Sequence, residues 1–306
     1  MSYQYIKEKL AQRETIILDG AIGTEILRRE VTWADHQLMS RPEFVRTIHA
    51  DYINAGAEVI STNSFQLCKR ALFNHFRDDV HRKQVGASDL DTRANTLLAQ
   101  SVKLAVEARE HTKAERPVAV AAAVTTLEWC FRPDLAPSDA HAKSEYREIF
   151  QVVKDAGADL VLLETVNSIH EAVTALEVAK EVGLPFWISF IPTENGKLFS
   201  GESLKKAAAA MERGGADAIL LNCAPPDDIS AGMKQLPPVT KLPIGTYAHV
   251  GRFDPPEWLF TEEYPPSKYK AESAEWKKMG ATILGGCCGT TPEHIRQLNA
   301  LRFSPT

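Results

Sequence analysis

Cys287 and Cys288 stand side by side in the run ILGGCCGTTPEH, and a third cysteine, Cys223, closes the apolar stretch AILLNC upstream. Three thiolates suit zinc, which accepts sulfur ligands in tetrahedral geometry, and a three-ligand protein set leaves a position open for substrate. That open position separates catalytic zinc from structural zinc. Structural sites usually put a short spacer between paired cysteines so that a loop can wrap the ion, a pattern that adjacent cysteines do not follow. The same residues are also compatible with a vicinal disulfide, or with apolar cores that happen to contain cysteine, among the most often buried residue types. Residue type alone leaves these readings open.

The chain has 306 residues, 44% hydrophobic and 25% charged, a size and composition suited to one large domain or two modest ones. A net charge of −5, a pI near 6.0 and the lack of any Lys/Arg stripe argue against a nucleic-acid partner and fit a small polar substrate. No stretch approaches the roughly 20 apolar residues that span a bilayer, and the start MSYQYIKEKLAQRE has no signal-peptide core. These features predict a cytoplasmic protein with no membrane partner, and a homo-oligomer is compatible with them. Five cysteines (Cys68, Cys130, Cys223, Cys287, Cys288) are too few for a disulfide scaffold in a chain this long. A reducing compartment favours metal or catalytic use of them.

The elements that must position the cysteines follow from hydrophobic patterning. Short apolar, β-branched runs recur at 15–20, 58–65, 117–124, 160–165, 185–191, 218–223, 243–249 and 281–288. They are nearly continuous rather than alternating, as expected for strands buried on both faces, and amphipathic stretches such as SEYREIFQVVKDAGA lie between them. Five of those stretches end in a glycine stop: AGAEV, AGADL, VGLPF, GGADA and MGATI. Eight βα units in a chain of this length predict an α/β fold of the (β/α)8 TIM-type barrel class, a single domain over 1–306, with a doubly wound open sheet as the alternative. Two connections are long. Residues 68–116 are expected to hold two helices, and 251–276 opens on a Pro-rich, aromatic loop. The charged clusters DD and HRK near residue 80 read as a solvated face.

In a parallel barrel the active site lies at the C-terminal ends of the strands. Those ends carry Asp19, then Thr62, Asn63 and Ser64, then Glu164 and Thr165, then Asn222 and Cys223, then Tyr247 and His249, and finally Cys287 and Cys288. Such a barrel places the cysteines on strand ends two apart around the ring, where one ion could bridge them. Two carboxylates facing a zinc–thiolate centre suit a substrate ammonium, although Asp19 also fits an N-cap and Glu164 a surface carboxylate. His249 fits a ligand, a general base or a structural histidine, and is left out of the metal shell because the cysteines suffice.

The segments DGAIGTE (19–25), TNSFQ (62–66), LLET (162–165), LNCAPP (221–226) and GGCCGTTPEHI (285–295) closely resemble the zinc-dependent homocysteine S-methyltransferases, over nearly the whole chain. The resemblance implies a zinc ion (Zn2+) held by Cys223, Cys287 and Cys288, with the L-homocysteine thiol at the fourth position. It implies that Asp19 and Glu164 hold the homocysteine amino group and that the backbone at Gly20, Ala21 and Ile22 receives its carboxylate; Asn222 is grouped with these substrate contacts. Exposed N–H groups at a helix start bind anions on physical grounds as well. The reaction so implied is methyl transfer from a small donor to homocysteine, giving methionine. Zinc lowers the pKa of a bound thiol and so supplies the nucleophile.

The donor side departs from the family. Many members that use S-methylmethionine carry a Gly-Pro-Tyr-Gly-like or Gly-Ser-Tyr-Gly-like loop after the third strand, where this chain has AAAVTTLEWCFRPDLAPSD (121–139). The region from TEEYPPSKY to MGATILGGCCG bears a diffuse similarity to the betaine branch. Sulfonium and quaternary ammonium donors such as S-methylmethionine, S-adenosylmethionine or betaine would each be bound by aromatic walls. Phe65, Trp129, Phe131 and Tyr247 are the donor-pocket candidates, with Phe253 and Trp258 beside them; Cys130 is read as a non-ligand. The alternatives are a homocysteine module taking its methyl from a separate corrinoid protein, a zinc methyltransferase for another thiol or selenol, and a non-catalytic redox sensor built on Cys287 and Cys288.

Overall fold

Strand β1 (Ile16–Ile17) follows an N-terminal helix α1 (Ser2–Ala11) and leads to the short helix α2 (Gly23–Arg28) in a computed structural model that describes residues 2–29, 38–75, 89–254 and 257–303. Next come α3 (Pro42–Ala55), β2 (Val59–Ser61), α4 (Lys69–His75), α5 (Leu90–Thr112), β3 (Ala119–Val124), α6 (Asp139–Asp155), β4 (Leu160–Val166), α7 (Ile169–Val182) and β5 (Phe186–Phe190). The chain continues through α8 (Leu204–Gly214), β6 (Ala218–Asn222), α9 (Pro226–Met233), β7 (Ile244–Tyr247), the hairpin strands β8 (Arg252–Asp254) and β9 (Glu257–Leu259), α10 (Pro266–Lys278), β10 (Ala281–Leu284) and α11 (Pro292–Asn299).

Eight of these strands form one parallel sheet in the order β1, β10, β7, β6, β5, β4, β3, β2. The ends of that order meet: Leu18 bridges Val59 in parallel, the Asp19 amide donates to the Val59 carbonyl at 3.0 Å, and the Glu58 amide donates to the Ile17 carbonyl at 2.7 Å. The sheet is therefore a nearly closed single-domain (β/α)8 barrel, and the open-sheet alternative is set aside. Each of the eight apolar runs contains one of these strands. The last strand stops at Leu284, so Cys287 and Cys288 sit in the loop beyond it rather than on it.

Side-chain alternation divides the core into two layers. Leu18, Val59, Ala119, Ala121, Leu160, Leu162, Trp187, Ala218, Leu220 and Ile283 fill the barrel interior, with Ile6 and Leu10 of α1 closing its lower end. Their neighbours in sequence, among them Ile17, Ile60, Val120, Val161, Ile188 and Ile219, face the surrounding helices. Small alanines share the interior with a fully buried Trp187, which is how a barrel reaches close packing without a pore. The five glycine stops, Gly56, Gly157, Gly183, Gly215 and Gly280, all adopt positive φ, the left-handed conformation that ends a helix before the next strand.

The 68–116 connection holds α4 and α5, as expected, whereas the charged clusters near residue 80 lie outside the described residues. The 251–276 segment, expected to open as a loop, instead opens with the β8/β9 hairpin and continues into α10. No helix among the described residues is long and apolar enough to cross a membrane.

At the lower end, opposite the cysteines, a fully buried Glu58 accepts from Lys9 Nζ at 2.8 Å, Tyr5 Oη at 3.1 Å and the Ile17 amide at 3.2 Å, and pairs with Arg302 at 3.1 Å. This carboxylate ties α1 and the C-terminal turn to the barrel floor. Truncating it strands two cations in a buried setting, so Glu58→Ala should lower unfolding stability by about 3–5 kcal/mol in urea denaturation.

Candidate active site

β6 and β10 are separated in the barrel only by β7, so the residues that follow them converge. The Sγ atoms of Cys223, Cys287 and Cys288 all lie within 4.8 Å of one another. Cys287 and Cys288 are 4.0 Å apart at sulfur and all five cysteines are free thiols, so the vicinal disulfide of the sequence alternatives is not formed. Backbone bonds hold the loop in place: the Cys287 amide donates to the Ala248 carbonyl at 2.9 Å and the Val250 amide to the Cys288 carbonyl at 2.8 Å.

Electrostatics within the trio is uneven. Hydrogen bonds from Cys223 and then Cys287 pull Cys288 well below the ordinary thiol range, while Cys223 is held well above it, first by its bond to Cys287. Full deprotonation of three adjacent, half-buried thiols calls for a cation, and three sulfurs form a donor set for a soft or borderline metal ion.

Cys223 has φ 53° and Thr165, after Glu164 on β4, has φ 60°, a conformation that costs a residue with a Cβ about 1–3 kcal/mol. Asn222, the residue before Cys223, holds Thr165 in place, and the Cys223 amide donates to the Tyr247 carbonyl at 3.4 Å. Asn222 Oδ1 accepts from the Thr165 amide at 3.1 Å and from Ser189 Oγ at 2.7 Å, and its Nδ2 donates to Thr165 Oγ1 at 2.9 Å. Asn222, expected as a substrate contact, is fully buried and is not in the lining of the cavity above the sulfurs; its oxygen and nitrogen are engaged across β4, β5 and β6.

A cavity of about 930 Å3 opens above the sulfurs. Asp19 and Glu164 both line it. Asp19 is neither an N-cap nor exposed; its two carboxylate oxygens accept from the Ser61 amide and Ser61 Oγ, each at 2.8 Å, and Ile22 caps α2. Glu164 accepts from Tyr247 Oη at 3.2 Å. Burial lifts the Asp19 carboxyl well above its usual range against the Ser61 bonds, with Glu164 adding to the effect. Burial likewise pushes Glu164 up to about 8, opposed by the Tyr247 bond and aided by Cys288. Among the described residues, no lysine or arginine lines the cavity.

Gly20 and Ala21 also line it, beside Gly23 and Thr24. Ile22 does not; its side chain turns into the helix-facing core. The Ala21 amide donates to Thr290 Oγ1 at 3.3 Å, which narrows the anion-binding expectation to the neighbouring backbone. Asn63 reaches the cavity, whereas Thr62 and Ser64 bond each other at 2.6 Å and secure β3.

The four donor-pocket candidates Phe65, Trp129, Phe131 and Tyr247 all reach this cavity. Trp129 and Phe131 have ring centroids 6.0 Å apart, and Phe131 meets Phe199 edge-on at 5.3 Å. Phe199 was not among the expected residues, since it belongs to no motif and lies in a loop after β5. Trp258 lines the cavity and stacks edge-on against His249 at 5.5 Å; the Phe253 side chain lies outside the described residues. Glu194 and Asp228 add two carboxylates to the lining. His249 and Cys130 are also in the wall but outside the sulfur trio, and burial raises the Cys130 thiol to about 12.

These features define a (β/α)8 barrel with a cysteine-only metal-type centre at its C-terminal rim, under an acidic and aromatic cavity. The chain belongs to the homocysteine S-methyltransferase family, whose profile matches residues 16–301. It is 30% identical to homocysteine S-methyltransferase 3 of Zea mays, over 93% of this chain and 89% of that one. It is 28% identical to a selenocysteine Se-methyltransferase of Brassica oleracea, over 92% of this chain and 87% of that one. The metallated form of the homocysteine methyltransferase MmuM from Escherichia coli superposes with a TM-score of 0.80 at 26% identity, covering 98% of this chain and 99% of that one.

Because Asn222 ties the strand end that carries Cys223 to β4 and β5 and is not in the cavity lining, Asn222→Ala should leave all three thiols present yet weaken metal binding by about tenfold. Zinc competition against a chromogenic chelator measures this directly.

Proposed function

We propose that residues 1–306 act as a homocysteine-binding barrel that transfers a methyl group from a small onium donor to the sulfur of L-homocysteine, giving methionine. The observation that carries this reading is the convergence of the three cysteine sulfurs with Asp19 and Glu164 in one cavity of a chain belonging to this family. Cys223, Cys287 and Cys288 would hold zinc, whose charge keeps the acceptor sulfur in its thiolate form at neutral pH.

The chain's own residues do the remaining work. Asp19 is buried and Glu164 half-buried, and among the described residues no lysine or arginine lines the cavity beside them, so a substrate ammonium is the group that lets both ionise. Ser61 and Tyr247 orient them by hydrogen bonds. The backbone from Gly20 to Thr24, apart from the Ala21 amide, is placed to meet the carboxylate end of the same amino acid. Fixing that amino acid at one end brings its sulfur over the trio, toward the aromatic side of the cavity, where the donor methyl is expected.

The transfer forms a sulfur–carbon bond on homocysteine and breaks the bond between the methyl and the donor's onium atom, which keeps the electron pair and becomes neutral. Trp129, Phe131, Phe199 and Trp258 offer ring faces to that cation, and Glu194 and Asp228 reinforce the negative lining. A net-cationic sulfonium suits this lining better than a zwitterionic betaine.

Zinc-loaded protein supplied with homocysteine and, separately, S-methylmethionine, S-adenosylmethionine, glycine betaine, dimethylsulfoniopropionate or methylcobalamin should form methionine with a sulfonium donor. Cys223→Ser should lose both the zinc, read by metal analysis, and the turnover; normal turnover in metal-free wild-type protein would sink the proposal. Asp19→Asn combined with Glu164→Gln should raise the KM for homocysteine by about 10- to 100-fold, with a smaller change in kcat, because each removes a charge-assisted hydrogen bond to the ammonium.

A further inference from the structure

One buried hydroxyl joins the cysteine loop to the segment that follows β1. Thr290 is fully buried, and its Oγ1 donates to the Cys287 carbonyl at 2.7 Å while accepting from the Ala21 amide at 3.3 Å. Tyr52, on α3, completes the bracket by donating to the Ala21 carbonyl at 2.7 Å. The fit is close on both sides. A Cβ on Gly20 would lie 2.8 Å from both Thr290 Oγ1 and the Tyr52 ring, and one on Gly286 would lie 2.3 Å from Thr290 Oγ1. The glycines of DG and GG are therefore the space that this threonine occupies.

Other bonds run between the same two segments: the Gly286 amide to the Asp19 carbonyl at 3.0 Å, the Gly289 amide to Thr24 Oγ1 at 2.8 Å, and Arg28 to the Gly289 carbonyl at 3.0 Å. They hold the segments side by side. Thr290 differs because the carbonyl it reads belongs to Cys287, one of the sulfur trio. A metal that fixes Cys287 Sγ also fixes that carbonyl, which sets the hydroxyl rotamer and with it the acceptor offered to Ala21.

We propose that Thr290 is a positioning residue that couples metal occupancy of the cysteine trio to ordering of the Asp19–Arg28 segment. This rests on the reading of the trio as the metal site and of that segment as the acceptor site. Filling the metal site then prepares the backbone that receives the amino acid, and by linkage an ordered segment tightens metal binding.

Hydrogen–deuterium exchange of chelator-stripped protein, with and without added zinc and with no amino acid present, tests the coupling. In wild type, zinc should slow exchange about tenfold in peptides over 285–291 and also over 19–28. Thr290→Val, close in shape but without the hydroxyl, should keep the first protection and lose most of the second, to about twofold, while Thr290→Ser restores it. Tyr52→Phe keeps the ring, removes the other arm and should show the same selective loss, so the test stands even if the valine variant folds poorly. Equal zinc protection of 19–28 in wild type and in these variants overturns the coupling, as does zinc protection confined to 285–291 in wild type. No protection at either segment overturns the metal reading and this proposal with it. Titration of homocysteine into zinc-loaded wild type reports separately on the acceptor site, since failure to bind there leaves the exchange result intact.

Discussion

Holding three thiols within 4.8 Å of one another at the base of the cavity is the constraint on which the rest of the molecule depends. Like charges at that distance repel strongly, so a cation favours the fully deprotonated trio. The protein must hold that arrangement against its own electrostatics. It does so with backbone, because strand positions are the least adjustable part of a barrel. Pairing of β6 and β10 with β7 fixes the two loop origins, and the β1–β2 bridge at Leu18 and Val59 keeps the ring from opening. The unfavourable φ of Thr165 is braced by Asn222, the residue before Cys223, whose hydrogen bonds are made within the protein.

The same reasoning extends to the cavity above. Asp19 is buried, Glu164 beside it is half-buried and raises the Asp19 carboxyl further, and neither faces a lysine or arginine among the described lining residues. A structural carboxylate in such a setting is normally paired, as Glu58 is at the other end of the barrel. Glu58 has its cations built in, whereas the upper pair has none among the described lining residues. The contrast between the two ends is what the proposed binding role of the upper pair rests on, in accord with the division of labour between barrel faces.

Much of this was legible in the sequence. The eight apolar runs each contain a strand because strands buried on both faces need continuous hydrophobicity, and five glycine stops fall at left-handed positions because few other residues tolerate them. The cysteines and carboxylates were legible as chemistry at strand ends. Asn222 and Thr290 were not legible as supports, for a shared reason: a polar residue at a strand end looks the same in sequence whether it faces a ligand or a buried partner. The partners of Asn222 come from β4 and β5, and that of Thr290 from the far end of the chain. Only the pairing of these strands in the sheet brings them together.

The two halves of the cavity also differ in construction, and the difference explains why acceptor and donor are unequally readable. The groups proposed for the acceptor stand on or shortly after strands, braced by Ser61, Tyr247, Thr290 and tight glycines, so small motifs carry their geometry. The rings proposed for the donor side, Trp129, Phe131 and Phe199, come from the loops after β3 and β5, and Trp258 from a hairpin after β7. Loops of this kind tolerate changes of length and composition that strand ends do not. A barrel can therefore keep one nucleophile and exchange the methyl source by altering loops alone. The loop over 121–139, which departs from the glycine-containing pattern of many S-methylmethionine users, lies on this adjustable side and leaves the sulfur centre and its carboxylates unchanged.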